Sequence, residues 1–168
     1  MAKIISGIQQ IGIGIPNMHE AWKWYRGAFG MDIRMFEESA EAPDMINYTG
    51  GKVQSRIAAL AVNMKGGGGF EIWQYTSREP VSPKEPVVLG DYGIFAGKMK
   101  APNVAAAYNY HKDNGYNILG ELGKTPDGGD TFFVIDPYEN IFQVVQSDDW
   151  FSTTESVKIG RASCRERV

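Results

Sequence analysis

A pattern that occurs twice constrains what this chain can fold into: an alternating apolar segment, a proline-asparagine pair, and then apolar residues at helical spacing. The first copy contains Pro16-Asn17 and the second contains Pro102-Asn103. Proline ends a strand, and asparagine is a good helix N-cap because its side-chain oxygen accepts a hydrogen bond from a free N–H of the first turn. Each copy therefore predicts a strand that is followed directly by a helix.

Apolar spacing divides both halves of the chain into the same series of elements. The first helix is predicted from Met18 to Gly30 and the second from Val104 to Gly115. The predicted strands are residues 7–15, 31–36, 46–49, 55–64, 70–75, 92–101, 118–122, 131–135 and 141–146. The acidic segment 37–44 is predicted to be a mobile loop. The order of strand, helix and about three further strands thus occurs twice, which indicates an internal repeat.

The repeat predicts the domain organisation. We expect one α+β domain over residues 7–148, built from module one (7–76), a proline-rich linker (77–90) and module two (91–148). Each module has the order βαβββ, and the two are expected to pair as a curled mixed sheet around one pocket, because neither half alone covers both faces of its sheet. A chain of 168 residues is long enough to bury such a core.

The C-terminal end differs from this repeat. Residues 149–157 are predicted to be an extension, and 158–168 resemble the translation of a sequencing adapter, so we expect a non-native tail there. The tail holds the chain's cysteine, four basic residues and one acidic residue, and without it the net charge falls from -3 to -6. An acidic body without cysteine or a basic cluster argues against disulfides, thiol catalysis and a nucleic-acid partner.

The N-terminus and the hydropathy pattern predict where the protein resides. No apolar run approaches the roughly 18 residues of a membrane span. The apolar pair Ile4-Ile5 after Lys3 is interrupted at once by Ser6. We therefore expect no signal peptide, no membrane partner and a cytoplasmic location.

The order of these motifs resembles the vicinal oxygen chelate superfamily, the group of glyoxalases, bleomycin-resistance proteins and extradiol dioxygenases. The resemblance covers residues 7–147. The residues that carry it are Pro16-Asn17, Trp24-Tyr25, Phe29-Gly30, Phe70-Glu71-Ile72, Asp136-Pro137, Asn140 and Phe142-Gln143. It implies two βαβββ modules whose sheets surround one shared pocket.

The resemblance also implies positions for metal ligands, with histidine usual on the first strand of a module and glutamate on the last. The matching residues are Gln10, Glu71, Ala96 and Gln143. Transition metals prefer imidazole, thiolate or carboxylate donors, so the resemblance implies a degenerate metal site. Gln10, Glu71 and Gln143 are candidates only for a weakly held divalent cation such as Mg²⁺. An extradiol dioxygenase, which uses two histidines and a carboxylate, is disfavoured.

Strand parity predicts which side chains line the pocket. The predicted site residues are Gln10, Glu71, Trp73, Tyr75, Lys98 and Gln143. Glu71 is the candidate catalytic acid or base, and the alternative is a salt bridge to Lys98 or an exposed position. Neither histidine extends the site: His19 is expected in an exposed first turn, and His111 as a packed ring with one satisfied nitrogen.

The other site residues have both a ligand-binding and a structural interpretation. Gln10 and Gln143 are predicted to hold substrate oxygens. Trp73 and Tyr75 stack on a planar ligand or fill the core, and Lys98 pairs with an anionic group or lies at a solvated strand end.

The resemblance implies, as the slightly favoured hypothesis, an enzyme of the lyase or isomerase type that acts on a small oxygenated or carbonyl-bearing metabolite. The alternatives are a metal-free protein of the same fold that binds a drug or metabolite, and a structural module whose pocket its own side chains fill. The expected partner is a small-molecule ligand. A homodimer is compatible with the need to cover exposed sheet edges.

Overall fold

A computed structural model of the chain describes residues 8–63, 65 and 68–147, which form the two predicted βαβββ modules of an α+β fold. Module one contains β1 (Gln10–Gly14), α1 (Met18–Phe29), β2 (Ile33–Glu41), a 3₁₀ helix (Pro43–Tyr48), β3 (Ser55–Val62) and β4 (Gly69–Tyr75). Module two contains β5 (Ala96–Ala101), α2 (Val104–Asp113), β6 (Asn117–Lys124), β7 (Asp130–Ile135) and β8 (Ile141–Gln146).

Each module forms a four-stranded mixed sheet in which the first strand pairs in parallel with the last. The strand orders are β1-β4-β3-β2 and β5-β8-β7-β6, and the other pairs are antiparallel. Gly12 lies opposite Glu71 in the first parallel pair, and Lys98 lies opposite Gln143 in the second. The predicted site residues therefore lie on equivalent strands of the two sheets.

The predicted helix caps are confirmed in both modules. Asn17 accepts a hydrogen bond from the Glu20 amide at 3.2 Å, and Asn103 accepts one from the Ala106 amide at 2.9 Å. Gly30 ends α1 with φ 63°, a conformation that glycine adopts without a steric penalty.

A second cap on each helix comes from the last strand of its module, and no local sequence pattern predicts it. The side-chain oxygen of Gln74 accepts from the Met18 amide at 2.9 Å, and that of Gln146 accepts from the Val104 amide at 3.3 Å. Each glutamine thereby joins the end of a sheet to the start of the helix that packs on it.

The core lies between the helices and the inner faces of both sheets. The alternation predicted for the first strand is confirmed, because Ile13 and Ile15 are buried whereas Gly12 and Gly14 are exposed. The rings of Phe70 and Phe142, at equivalent positions of β4 and β8, are 5.5 Å apart between centroids. Because these rings come from different modules, they join the two halves in one core.

Three local predictions are wrong. Residues 37–41 belong to β2 rather than to a mobile loop, because they pair with β3 in antiparallel register. The strand predicted at 46–49 is wrong, because residues 46–48 belong to a 3₁₀ helix (Pro43–Tyr48) in which Pro43 is suited to the first turn. The strand predicted from residue 92 begins at Ala96, because the side chains of Tyr92 and Ile94 are exposed and have no sheet face to cover.

Other predictions lie partly or wholly outside the described residues. Residue 7 of the first predicted strand, residue 64 of the strand predicted at 55–64, and the extension and tail at 149–168 are not described. Among the described residues, no helix is both long and apolar enough to cross a bilayer.

Candidate functional site

The module-one sheet has an open face on the side that carries Gln10, Gly12, Glu71 and Trp73, opposite to the buried isoleucines. A side chain added at Gly12 or Gly14 would meet no atom within 4 Å. Glu71 lies beside Gly12, and Trp73 lies between Gly14 and an alanine of β3. These small neighbours leave space for a ligand next to Glu71 and Trp73.

Gln10 and Glu71 are in contact on this open face. The Gln10 side-chain amide donates a hydrogen bond of 2.5 Å to one carboxylate oxygen of Glu71, and both residues are half-buried. None of the ion pairs in the described part of the chain involves Glu71, so the structure shows the amide rather than Lys98 as its partner. The bond orients the carboxylate and uses only one of its two oxygens.

Trp73 lies beside Glu71 and is covered on one side by a cation. The guanidinium of Arg56 is 4.7 Å from the Trp73 ring centroid and also pairs with the Glu38 carboxylate. Tyr75 meets Trp73 edge-on, with 5.9 Å between ring centroids. A planar ligand can therefore reach Trp73 only at its other face or its edges. The sequence analysis missed Arg56, although alternation in β3 places it on the same face as Trp73.

The module-two residues make separate contacts. The Gln143 side-chain amide donates to the Thr131 hydroxyl at 3.2 Å, and that hydroxyl donates to the Val144 carbonyl at 2.8 Å. Lys98 is exposed beside Gln143. Gln10 and Glu71 are thus brought together, whereas Gln143 is bonded within its own module.

The donor set does not fit a transition-metal site. Among the described residues, no group of three His, Cys, Asp or Glu side chains is placed to hold a metal ion. Of the four positions where the family resemblance implies ligands, only Glu71 supplies a carboxylate, and Ala96 supplies no donor at all. The amides of Gln10 and Gln143 are engaged as hydrogen-bond donors, which leaves oxygens that are poor ligands for zinc or iron.

Tyr25 and Asp136 form a buried polar contact between the modules. The Tyr25 hydroxyl donates to the Asp136 carboxylate at 2.5 Å, and that carboxylate also accepts from the amides of Tyr138 and Asn140, each at 2.8 Å. Burial and the nearby Asp136 charge raise the pKa of Tyr25 far above its usual value. The phenol therefore remains protonated and serves as a structural donor.

A cleft of about 490 Å³ opens between the two modules. Its wall is mostly apolar and includes Ile11, Phe29 and Met99, with Gln10 and Lys98 among its polar groups. Glu71, Trp73, Tyr75 and Gln143 are not part of the wall. Strand parity within one module does not predict this cleft, because both modules contribute to it.

His111 borders the cleft as a packed ring, as its position on the helix predicts. It is 3% exposed, and its Nδ1 donates to the Ala107 carbonyl at 2.8 Å. Burial lowers the pKa of His111, and the hydrogen bond to the Ala107 carbonyl opposes this only in part. Its buried Nε2 has no hydrogen-bond partner among the described residues.

Comparison with known proteins identifies the family. The model of the glyoxalase/bleomycin resistance protein/dioxygenase superfamily matches residues 7–144. The chain belongs to this superfamily. The predicted resemblance is therefore confirmed.

Solved structures of superfamily proteins share this fold. A glyoxalase family protein from Bacillus cereus matches with a TM-score of 0.67 at 10% identity, over 86% of this chain and 95% of that one. A glyoxalase family protein from Enterococcus faecalis matches with a TM-score of 0.60 at 15% identity, over 84% and 98%. A glyoxalase I mutant from Zea mays matches with a TM-score of 0.54 at 17% identity, over 84% and 46%. None of the curated protein sequences matches the chain.

Proposed function

We propose that the protein binds a small oxygenated or carbonyl-bearing metabolite on the open face of module one and that Glu71 transfers a proton there. The observation that carries the proposal is the 2.5 Å hydrogen bond from the Gln10 amide to the Glu71 carboxylate, beside glycines that leave room for a ligand. General acid-base catalysis requires a titratable group that is oriented and within reach of the substrate. Superfamily membership supports a small-molecule ligand.

The proposed chemistry uses the two carboxylate oxygens differently. The Gln10 amide steadies one oxygen, and the other accepts a proton from a carbon or oxygen next to the substrate carbonyl. Return of the proton to a neighbouring atom completes an isomerisation, and departure of a leaving group completes an elimination. These outcomes correspond to the isomerase and lyase types of reaction.

Proton exchange tests this proposal without knowledge of the full reaction. Proton NMR in D₂O follows loss of the C–H signal beside the carbonyl in dihydroxyacetone, hydroxyacetone and other small hydroxy ketones. We expect the protein to accelerate exchange in a member of this set. Glu71→Gln is expected to lower that rate about 100-fold or more.

The controls separate catalysis from binding and from loss of the fold. Glu121→Gln makes the same change at an exposed position of β6 and is expected to keep the rate. If Glu71→Gln keeps the rate as well, Glu71 does not transfer the proton. A ligand that raises the melting temperature of both proteins equally, without any exchange, indicates instead a metal-free binding protein.

A further inference from the structure

Two pairs of equivalent positions differ between the modules. Counted from their N-cap asparagines, Tyr25 of α1 and His111 of α2 hold the same position. Asp136 and Asn63 each directly follow the third strand of their module. Tyr25 of module one reaches Asp136 of module two, but the equivalent contact between His111 and Asn63 is not formed. The Asn63 amide donates instead to the Phe29 carbonyl at 2.7 Å.

The cleft of about 490 Å³ lies at the place of this missing contact, and both Asn63 and His111 line it. An imidazole is smaller than a phenol, and the hydrogen bond of His111 goes to the Ala107 carbonyl of its own helix. The cleft volume lies within the range of roughly 300 to 1,000 Å³ that ligand pockets occupy. One inter-module contact is thus filled by a protein side chain, and its counterpart is open.

The wall of the cleft indicates what kind of molecule fits it. Ile11, Phe29 and Met99 provide apolar surface, which favours burial of an apolar ligand body. Lys98 and Lys100 are the charged residues of the described wall, and no Asp or Glu contributes to it although the whole chain has a net charge of -3. The local charge is therefore opposite to that of the chain and attracts an anion.

We propose that this cleft binds a small molecule with an apolar body and one anionic group, and that Lys98 pairs with the anion. Lys98 attracts the Asp127 carboxylate, but Asp127 is fully exposed, so solvent screens this attraction. The cleft shares Gln10 with the open face, but its wall includes neither Glu71 nor Trp73. The proposal therefore holds or fails independently of proton transfer by Glu71.

Two fluorescent probes with the same aromatic skeleton test the apolar and anionic parts separately. Anilinonaphthalene sulfonate carries the anion, and N-phenylnaphthylamine lacks it. Fluorescence titration gives the Kd of each probe for the protein and its variants. Lys98→Met is expected to weaken the sulfonate about 3- to 5-fold, as for a partly exposed ion pair, and to leave the neutral probe within about 2-fold. Lys23→Met, on the exposed side of α1, is the charge control.

Filling the cleft tests the location of the probes. Ala107 of α2 lines the cleft and Ala106 is exposed on the same helix, so Ala107→Leu and Ala106→Leu are matched variants with equal helix propensity. We expect Ala107→Leu to weaken both probes about 10-fold or more and Ala106→Leu to change neither. If Ala107→Leu fails to fold, Ala101→Ile replaces it and fills the cleft from β5. Near-UV circular dichroism verifies the fold of every variant.

Three results would overturn the proposal. Absence of sulfonate binding to the folded protein at millimolar concentration would show that the cleft takes no such ligand. Equal affinities in folded cleft-filling and control variants would place the probes elsewhere. If Lys98→Met weakened the affinity for both probes by the same factor, Lys98 would not pair with the anionic group.

Discussion

The two modules use the same residues to hold their helices and different residues on their open faces. Gln74 and Gln146, at equivalent positions, cap their helices in the same way. Three residues earlier on the same strands, Glu71 bonds to Gln10 across a parallel strand pair, whereas Gln143 bonds to Thr131. Side chains that face the helix are constrained by capping and packing. Side chains that face away from the helix are free of these constraints, so one module can carry a site that the other module lacks.

The contacts between the modules differ in the same manner. On one side, Tyr25 and Asp136 form a buried hydrogen bond. On the other, His111 and Asn63 occupy the equivalent positions but bond to Ala107 and Phe29 instead of to each other, and a cleft lies between the modules. The two modules repeat the same backbone, yet one inter-module contact is filled by a side chain and the equivalent one is open. The difference arises because Tyr25 and Asp136 differ in size and in hydrogen-bonding groups from His111 and Asn63.

The largest effect that tests this comparison is expected at Asp136. Asp136→Ala removes the acceptor for the Tyr25 hydroxyl and for two turn amides, and it leaves a buried phenol unsatisfied. We expect a loss of about 3 to 4 kcal/mol in the free energy of unfolding, measured by urea denaturation. Asn63→Ala at the equivalent position is expected to lose about 1 kcal/mol. Equal losses of unfolding free energy in the two variants would show that Asp136 and Asn63 contribute equally to stability.

A smaller effect is expected at the helix caps, where the modules should behave alike. Asn17→Ala and Asn103→Ala each remove a cap and are expected to lower the free energy of unfolding by about 1 kcal/mol. Thermal or urea unfolding compares the two variants. A difference of more than about 1 kcal/mol between them would contradict equivalent capping, and Asn109→Ala, exposed within α2, is the control for an asparagine outside a cap.

The smallest effect is the pH dependence that His111 is expected to confer. Burial lowers the pKa of His111 in the folded state, so the unfolded chain binds a proton more readily. The contribution of neutral His111 to the free energy of unfolding is therefore complete above the histidine pKa of the unfolded chain, roughly 6.5. It is lost as the pH drops below that value, by at most about 1.4 kcal/mol per pH unit. Below the pKa that His111 has in the folded protein, the loss of unfolding free energy stops increasing.

Urea denaturation between pH 7.5 and 5.0 measures this slope. His111→Phe keeps an aromatic ring in the core and is expected to flatten the profile. His19→Gln, at an exposed position, is expected to retain it. The prediction fails if both variants keep the slope of the original protein.

The fold was largely predictable from sequence because its signals are local. Pro16 and Asn17 mark a strand end and a helix start within two residues, and the buried positions Ile13 and Ile15 follow from alternation. One error arose where strand pairing overrode a local signal. The acidic residues 37–41 form a strand because β3 supplies hydrogen-bond partners, and both sides of this edge strand tolerate charge.

The candidate site was only partly predictable. Alternation placed Glu71 and Trp73 on one face, but it does not give distances, so neither the bond to Gln10 nor the cover of Arg56 over Trp73 was foreseen. Gln143 was grouped with Gln10 and Glu71 through the family resemblance. The structure shows its side chain bonded within module two, where Thr131 is a near partner.

The sequence by itself determined the repeated βαβββ order, the helix caps and the lack of imidazole at the positions where the family usually has metal ligands. These depend on residue identity and on spacings of a few residues. The tertiary structure decided which polar groups meet: Gln10 with Glu71 on the open face, and Tyr25 with Asp136 across the modules. It also decided where a cleft remains. Such contacts join residues far apart in the chain. Their distances follow from strand pairing within a module for Gln10 and Glu71, and from the packing of one module against the other for Tyr25 and Asp136.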